Sequence, residues 1–320
     1  MSDAFVGYLL AVVALVLFSL GILLAKVASS RISLSLGFLI AVTSNVLFSA
    51  LAFGVQLLLH PEGVQWNGRG FMLFALAGAF STYLGRWFFY EAVVRFGPSR
   101  ASVFQVSSPL FTAIIAWLWL GENLTILMVA GMALTIGGLV LVSYKPGAFS
   151  ATPAASAIPA IPVKPANAFQ NLHQFLLQSV LMLGLGSSLA YAIGNVMRGS
   201  GVRVWNEPIL GALVGALIGL ALHVAFSSGR REMLSGLRTA NRSGALLYAL
   251  LGVCTIFAQM CAIGAMRYIP LSIATLITLC TPVLVFPLSH MLFKNSENIN
   301  RTTLVGCALA LLGIFIIVLR

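Results

Sequence analysis

The chain has 320 residues, 60% of them hydrophobic and 8% charged, with a mean hydropathy of +1.02. So little polar surface cannot cover a water-soluble globule, which excludes a soluble fold and indicates an integral membrane protein. The net charge of +11 is carried by basic residues standing between apolar runs, not on a basic face with interleaved aromatics, so nucleic acid is not an expected partner.

In chain order, apolar runs near bilayer-spanning length fall at 4–25, 32–59, 70–94, 101–121, 123–144, 174–197, 208–228, 244–266, 268–293 and 302–319. The third carries Arg86 and the seventh His223; most of the others are uncharged. A spanning segment must satisfy its own backbone hydrogen bonds, and a barrel would need alternating ten-residue segments, so all ten runs are predicted to be helices. The first has neither a basic region before it nor an Ala-x-Ala site, so a retained helix is expected rather than a signal peptide. Cys254, Cys261, Cys280 and Cys307 fall inside predicted spans and read as packing residues. Connections after odd-numbered spans hold most of the 18 basic residues, which by the positive-inside rule would put both termini outside.

Composition changes at "KPGAFSATPAASAIPAIPVKPANAFQ", 145–170, where prolines and small residues predict an extended or disordered spacer. A linker at 145–172 divides the chain into 1–144 and 173–320, with five predicted spans in each part. The two parts repeat landmarks: Ala92, Ala101 and Pro109 precede Ala265, Ala274 and Pro282 by 173 residues, and Glu122, Gly131 and Gly138 precede Glu297, Gly306 and Gly313 by 175. Because five is odd, the second copy must enter the membrane from the opposite side. The predicted fold is therefore an all-α integral membrane protein of ten helices in two inverted five-helix repeats, an architecture common among transporters.

Each copy carries a proline within a span: Pro109 in "ASVFQVSSPLFTAI" and Pro282 in "ATLITLCTPVLVF". A proline gives no N–H to the carbonyl four residues earlier, which here belongs to Gln105 or Thr278. A carbonyl freed at membrane depth must face protein or a water-filled cavity. Gln105, Thr278 and the two prolines thus read as a paired binding or hinge element. The plainer alternative is that Ser107, Ser108, Cys280 and Thr281 bond back to their own helices and the kinks serve packing.

The stretches "EAVVRFGPSRASVFQVSSPLFTAIIAWLWLGENLT" and "AMRYIPLSIATLITLCTPVLVFPLSHMLFKNSE" resemble the fourth-span signatures of the EamA-like repeats of the drug/metabolite transporter superfamily. Each has an alanine ending one span, a short turn, a small-residue helix, a proline, and a glutamate before the last span. The second copy departs from the usual Leu-Gly-Glu turn at "FKNSEN". The resemblance covers nearly the whole chain outside the linker. It implies ten helices around a central cavity, cytoplasmic termini, and movement of small metabolites such as amino acids, coupled to an ion gradient or to exchange.

Arg86 is the one formal charge well inside a predicted span, where a guanidinium usually faces an aqueous pathway. Snorkelling to the interface is the alternative. Tyr83 and Tyr90 lie three residues before and four after it, on the same helical face. Gln259 matches Arg86 at the 173-residue spacing, and Tyr191, Asn195 and Ser19 are further polar candidates in the sixth and first spans. Lys26 and Arg198 end corresponding spans and read as interface anchors. Glu91 stands four residues before Arg95, the order that favours an intrahelical pair.

His223 and His290 lack companion ligands, so no metal site is expected. No P-loop is present, hence no use of ATP by the chain itself, and no cofactor is implied. The spans offer almost no acids, bases or nucleophiles, so a transporter is the leading expectation, against a non-transporting membrane subunit or an intramembrane enzyme. Arg86 favours a carboxylate-bearing solute, such as an amino acid or related metabolite. Export across the inner or plasma membrane, with a coupling ion or an exchanged counter-solute, completes the expectation.

Overall fold

A computed structural model describes residues 3–59, 63–89, 107–121, 125–143, 180–226, 236–237, 240–281, 283–285, 288 and 301–318. The linker and the residues Tyr90, Glu91, Gln105, Glu122, Pro282 and Glu297 lie outside the described residues. The structure is all helical, with no strand among the described residues. Helix α1 spans Asp3–Ala28, α2 Leu34–Leu59 and α3 Gly68–Ala77, the last running directly into a π-helix at Gly78–Gly85. There follow α4 at Ser108–Leu120, α5 at Ile126–Ser143, α6 at Val180–Val204 and α7 at Pro208–Phe226. Helix α8 covers Arg242–Tyr268, α9 Leu271–Leu279 and α10 Arg301–Val318.

Among the described residues, four helices (α1, α2, α7 and α8) are long and apolar enough to cross a membrane. Their outward faces keep large apolar side chains exposed, among them Leu47, Leu51, Leu58, Leu246 and Phe226. That surface suits lipid, which solvates leucine as well as another helix would.

The two halves of the chain interlace. Helix α1 packs along α8, α2 against α7 and α8, and α3 with its π-helix against α6 and α7. Helix α4 packs on α6 and α9, and α5 along α10. Phe74, Val196, Ile256, Ile263, Leu271 and Ile277 are buried in the shared core. Small residues set the distances. A Cβ at Gly78 of the π-helix would fall 2.6 Å from the Gly215 carbonyl oxygen of α7, so the two backbones touch where only glycine fits.

One expectation is corrected here. Arg198 does not end a span as an interface anchor: α6 continues to Val204, and Arg198 is only 8% exposed. The cause is in "RGSGVRV". The small residues Gly199 and Gly201 lie against Leu271 and Phe74, so the helix stays inside the bundle past the arginine instead of breaking there.

Candidate functional site

Arg198 is the most buried formal charge among the described residues. It lies six residues before the end of α6, roughly 9 Å along the axis. Its Nη1 donates to Asn195 Oδ1 at 3.1 Å, and its Nη2 reaches Thr82 Oγ1 of the π-helix at 3.4 Å. Asn195 belongs to the same half of the chain and Thr82 to the other. Both acceptors are neutral, so they orient the guanidinium without cancelling its charge.

Arg86 follows one turn after Thr82, at the end of the π-helix. It is half-buried, with its guanidinium carbon 5.8 Å from the Phe38 ring centroid, inside cation–π range. The Phe38 ring in turn meets His223 edge-on at 4.5 Å. The two arginines are close enough for their charges to act on each other, and Tyr191 lies within the same field. Tyr83, half-buried, packs against Phe226 at 6.2 Å.

Gln259 is 4% exposed and its Nε2 has no hydrogen-bond partner. A Cβ at Gly215 would stand 3.6 Å from that nitrogen and 3.7 Å from Gly78 Cα. Gln259 therefore aims from α8 at the onset of the π-helix. The Nε2 of His223 is likewise buried without a partner.

Other sequence candidates spend their polar groups locally. Ser19 donates to Leu15 O at 2.7 Å, and Thr278 to Ala274 O at 2.9 Å and Thr275 O at 3.1 Å. These hydroxyls serve their own helices. Pro109 is buried in the first turn of α4, where a missing N–H removes no bond from that helix. Helix α9 stops at Leu279, before the second proline, and Cys280 Sγ contacts Leu276 O at 3.1 Å.

A cavity of about 370 Å³ opens at the end of the bundle where α6 finishes and α8 meets α9. It is lined by Met128, Arg203, Met266, Arg267, Tyr268, Ile269 and Pro270, and so carries two more guanidiniums. Two guanidiniums at this opening favour anions over cations there.

The sequence pattern of the EamA-like transporter family matches residues 5–144 and 178–319. This chain belongs to that family. It is therefore a multi-pass membrane protein of a transporter family. No curated protein matches the chain closely enough to lend it a function. A solved crystal structure of a protein with 17% identity covers 97% of this chain and 97% of its own, at a TM-score of 0.68, and 29 chains of solved structures match in all. At that identity the likeness concerns the fold.

Within this family member, the residues missed from sequence were Arg198, Thr82 and Phe38. A signal for the first was available. Tyr191, Asn195 and Arg198 are spaced four and three apart, on one helical face, and no proline separates Arg198 from Val204.

Proposed function

We propose that this protein is a secondary transporter that moves a small carboxylate-bearing organic solute, outward from the cell, by alternating access. The observation that carries the reading is Arg198: a buried guanidinium of one half, held against Thr82 of the other, with neutral acceptors only. A buried charge is expensive, and one oriented between two halves without a protein counter-charge is suited to an anion that comes and goes. Arg86 with Tyr83, and Gln259, Asn195 and Tyr191, line the route; Tyr90 and Gln105 belong to the same proposal from sequence.

The proposed frame is ten spans in two inverted repeats, 1–144 and 173–320, joined by the linker at 145–172, in the inner or plasma membrane. The packing supports this through matched contacts. Gly70 meets Trp205 and Gly244 meets Arg31; Phe74 meets Gly211 and Tyr248 meets Gly37; Gly78 meets Gly215 and Gly252 meets Ala41. In each case the second pair is the first displaced by 174 residues with the roles of the halves exchanged. Equivalent spans also run antiparallel. Phe38 lies beside His223 while Gln56 reaches Glu207, and Gly138 meets Gly306 while Gly313 meets Gly131. An axis along the membrane normal would make equivalent spans parallel, whereas an axis in its plane makes them antiparallel.

The test is solute flux in sealed proteoliposomes containing only this protein. Carboxylate-bearing solutes should exchange across the membrane at rates well above empty vesicles, with a pH or ion gradient, or a trapped counter-solute, as the driving arm. Flux no faster than in empty vesicles, for every solute and gradient, would defeat the reading.

A further inference from the structure

We infer that the solute held at the α3–α6 seam is a small organic dianion, one negative charge for Arg86 and one for Arg198. This deepens the transport reading and rests on it. Thr82 and Arg86 stand one turn apart on the π-helix, and Thr82 accepts from Arg198, so both positive charges hang on one seam. Among the described residues, no group bonded to either one removes its charge: Arg198 has Asn195 and Thr82, Arg86 has the Phe38 ring.

Acidic side chains among the described residues are Asp3, in the first turn of α1, and Glu207, which accepts from Gln56 at 2.7 Å. Neither pairs with Arg86 or Arg198. Glu91 lies outside the described residues, and its spacing assigns it to Arg95. The seam also offers a spare donor, since Gln259 Nε2 is buried at the onset of the π-helix without a partner.

Charge balance then sorts the solutes. A zwitterionic amino acid brings no net charge, and its ammonium meets two guanidiniums with no carboxylate to receive it. A monoanion leaves one buried charge uncompensated. A dianion cancels both, and each of its anionic ends can be gripped by a planar fork of donors.

The experiment is counterflow in proteoliposomes with four radiolabelled probes: succinate, glycerol 3-phosphate, lactate and alanine. Succinate or glycerol 3-phosphate should enter at least about ten-fold faster than lactate and alanine, and the faster of the two distinguishes a dicarboxylate from a phosphate monoester. In Arg198→Gln the ranking should reverse, lactate equalling or exceeding both dianions, while Glu91→Gln should leave it unchanged. Should Arg198→Gln fail to fold, the wild-type protein still decides: succinate or glycerol 3-phosphate must raise its melting temperature more than lactate at equal ionic strength.

Alanine or lactate moving as fast as both dianions would overturn the inference and leave the transport reading standing. A reversed ranking in Glu91→Gln would also overturn it, because Glu91 would then supply a counter-charge. If none of the four probes moves and none shifts the melting temperature, the inference fails; the transport reading fails too only if the wider solute panel is equally silent.

Discussion

Helices α3 and α8 begin alike and end differently. Each starts behind an asparagine cap, Asn67 accepting from Gly70 N and Asn241 from Ser243 N and Gly244 N. Each then passes an aromatic set over a glycine of its neighbour, and a glycine against a neighbour's backbone. To that point the residues correspond at 174. Beyond it, Thr82 over Gly219 answers Thr255, which lies 3.1 Å from Asn45: the spacing is still 174 on α7 and α2 but 173 on α3 and α8. Helix α3 has one residue more between these layers, and that is where it becomes a π-helix while α8 runs on regularly. A π-turn is how a helix absorbs a single inserted residue without turning everything after it out of phase.

The chemistry diverges at the same place. Around the Thr255 layer of α8 the polar groups are met by protein, Thr255 by Asn45 and Gly252 O, while Ser49 donates to Asn45 O; Gln259 Nε2, one turn further on, is the exception. Around α3 and α6 the charges of Arg86 and Arg198 have no described counter-charge. The position that corresponds to Arg86 is Gln259, and at the 174-residue spacing that pairs Trp205 with Arg31, those that correspond to Asn195 and Arg198 are Gly21 and Leu24. A common frame thus serves both halves, and the proposed binding chemistry sits on the α3–α6 side, one helix from each half, rather than on the α1–α8 side.

Matched single-residue deletions press hardest on this comparison. Removing Ala79 takes out the extra residue, so α3 should become a regular helix like α8 and the protein should still elute as a monodisperse peak. Transport should nevertheless slow, by about ten-fold or more, because π-turns tend to occur where a helix must adjust during function. Removing Val253 from α8 has no bulge to absorb it. It turns Thr255 and Gln259 by roughly 100° relative to Gly252, and folded protein should be lost. Size-exclusion chromatography of the two variants reads the outcome; survival of both would mean the layers are mismatched.

Arg86→Gln makes α3 chemically like α8. Loss of a charge-assisted bond costs about 1.5 to 3 kcal/mol, or roughly ten-fold to more than a hundred-fold in affinity. Arg86→Lys keeps the charge without the planar fork and should fall between. Wild-type affinity for both variants in a proteoliposome titration would return Arg86 to a snorkelling role.

The close approaches should behave alike in the two halves. A Cβ at Gly78 would press on Gly215, and one at Gly252 on the Ala41 carbonyl oxygen. Gly78→Ala and Gly252→Ala should each cost about 1–3 kcal/mol, as overpacking does. Thermal melts that moved for one variant alone would end the claim of a common frame.

Much of this frame was legible in the sequence because apolar runs and repeated landmarks report burial and duplication directly. Spacings of 173 for residues beyond the π-turn already held the register. What the sequence hid was depth. Arg198 looked terminal because a charge normally ends a span, whereas glycines beside it let α6 stay buried. The π-turn was hidden as well, since one inserted residue leaves no compositional mark. By sequence Ser19 is a polar candidate in a span, and Thr278 owes its place to the carbonyl that Pro282 frees. Their hydroxyls return to carbonyls of their own helices, a choice that depends on rotamer and neighbours rather than on residue type.

Ser19→Ala is the smallest expected change and the one most able to break the asymmetry. Ser19 is fully buried on α1, the helix packed along α8, and donates to Leu15 O. Alanine deletes that bond, worth about 0.5–1.5 kcal/mol net, but the carbonyl keeps its helical partner and alanine is the better helix former. The two effects oppose each other, so stability should change by less than about 1 kcal/mol. Affinity should not change at all if the α1–α8 side only packs. A ten-fold loss of affinity in a folded Ser19→Ala protein would bring that side into the binding route, and the division between a chemical α3–α6 side and a packing α1–α8 side would then have to be given up.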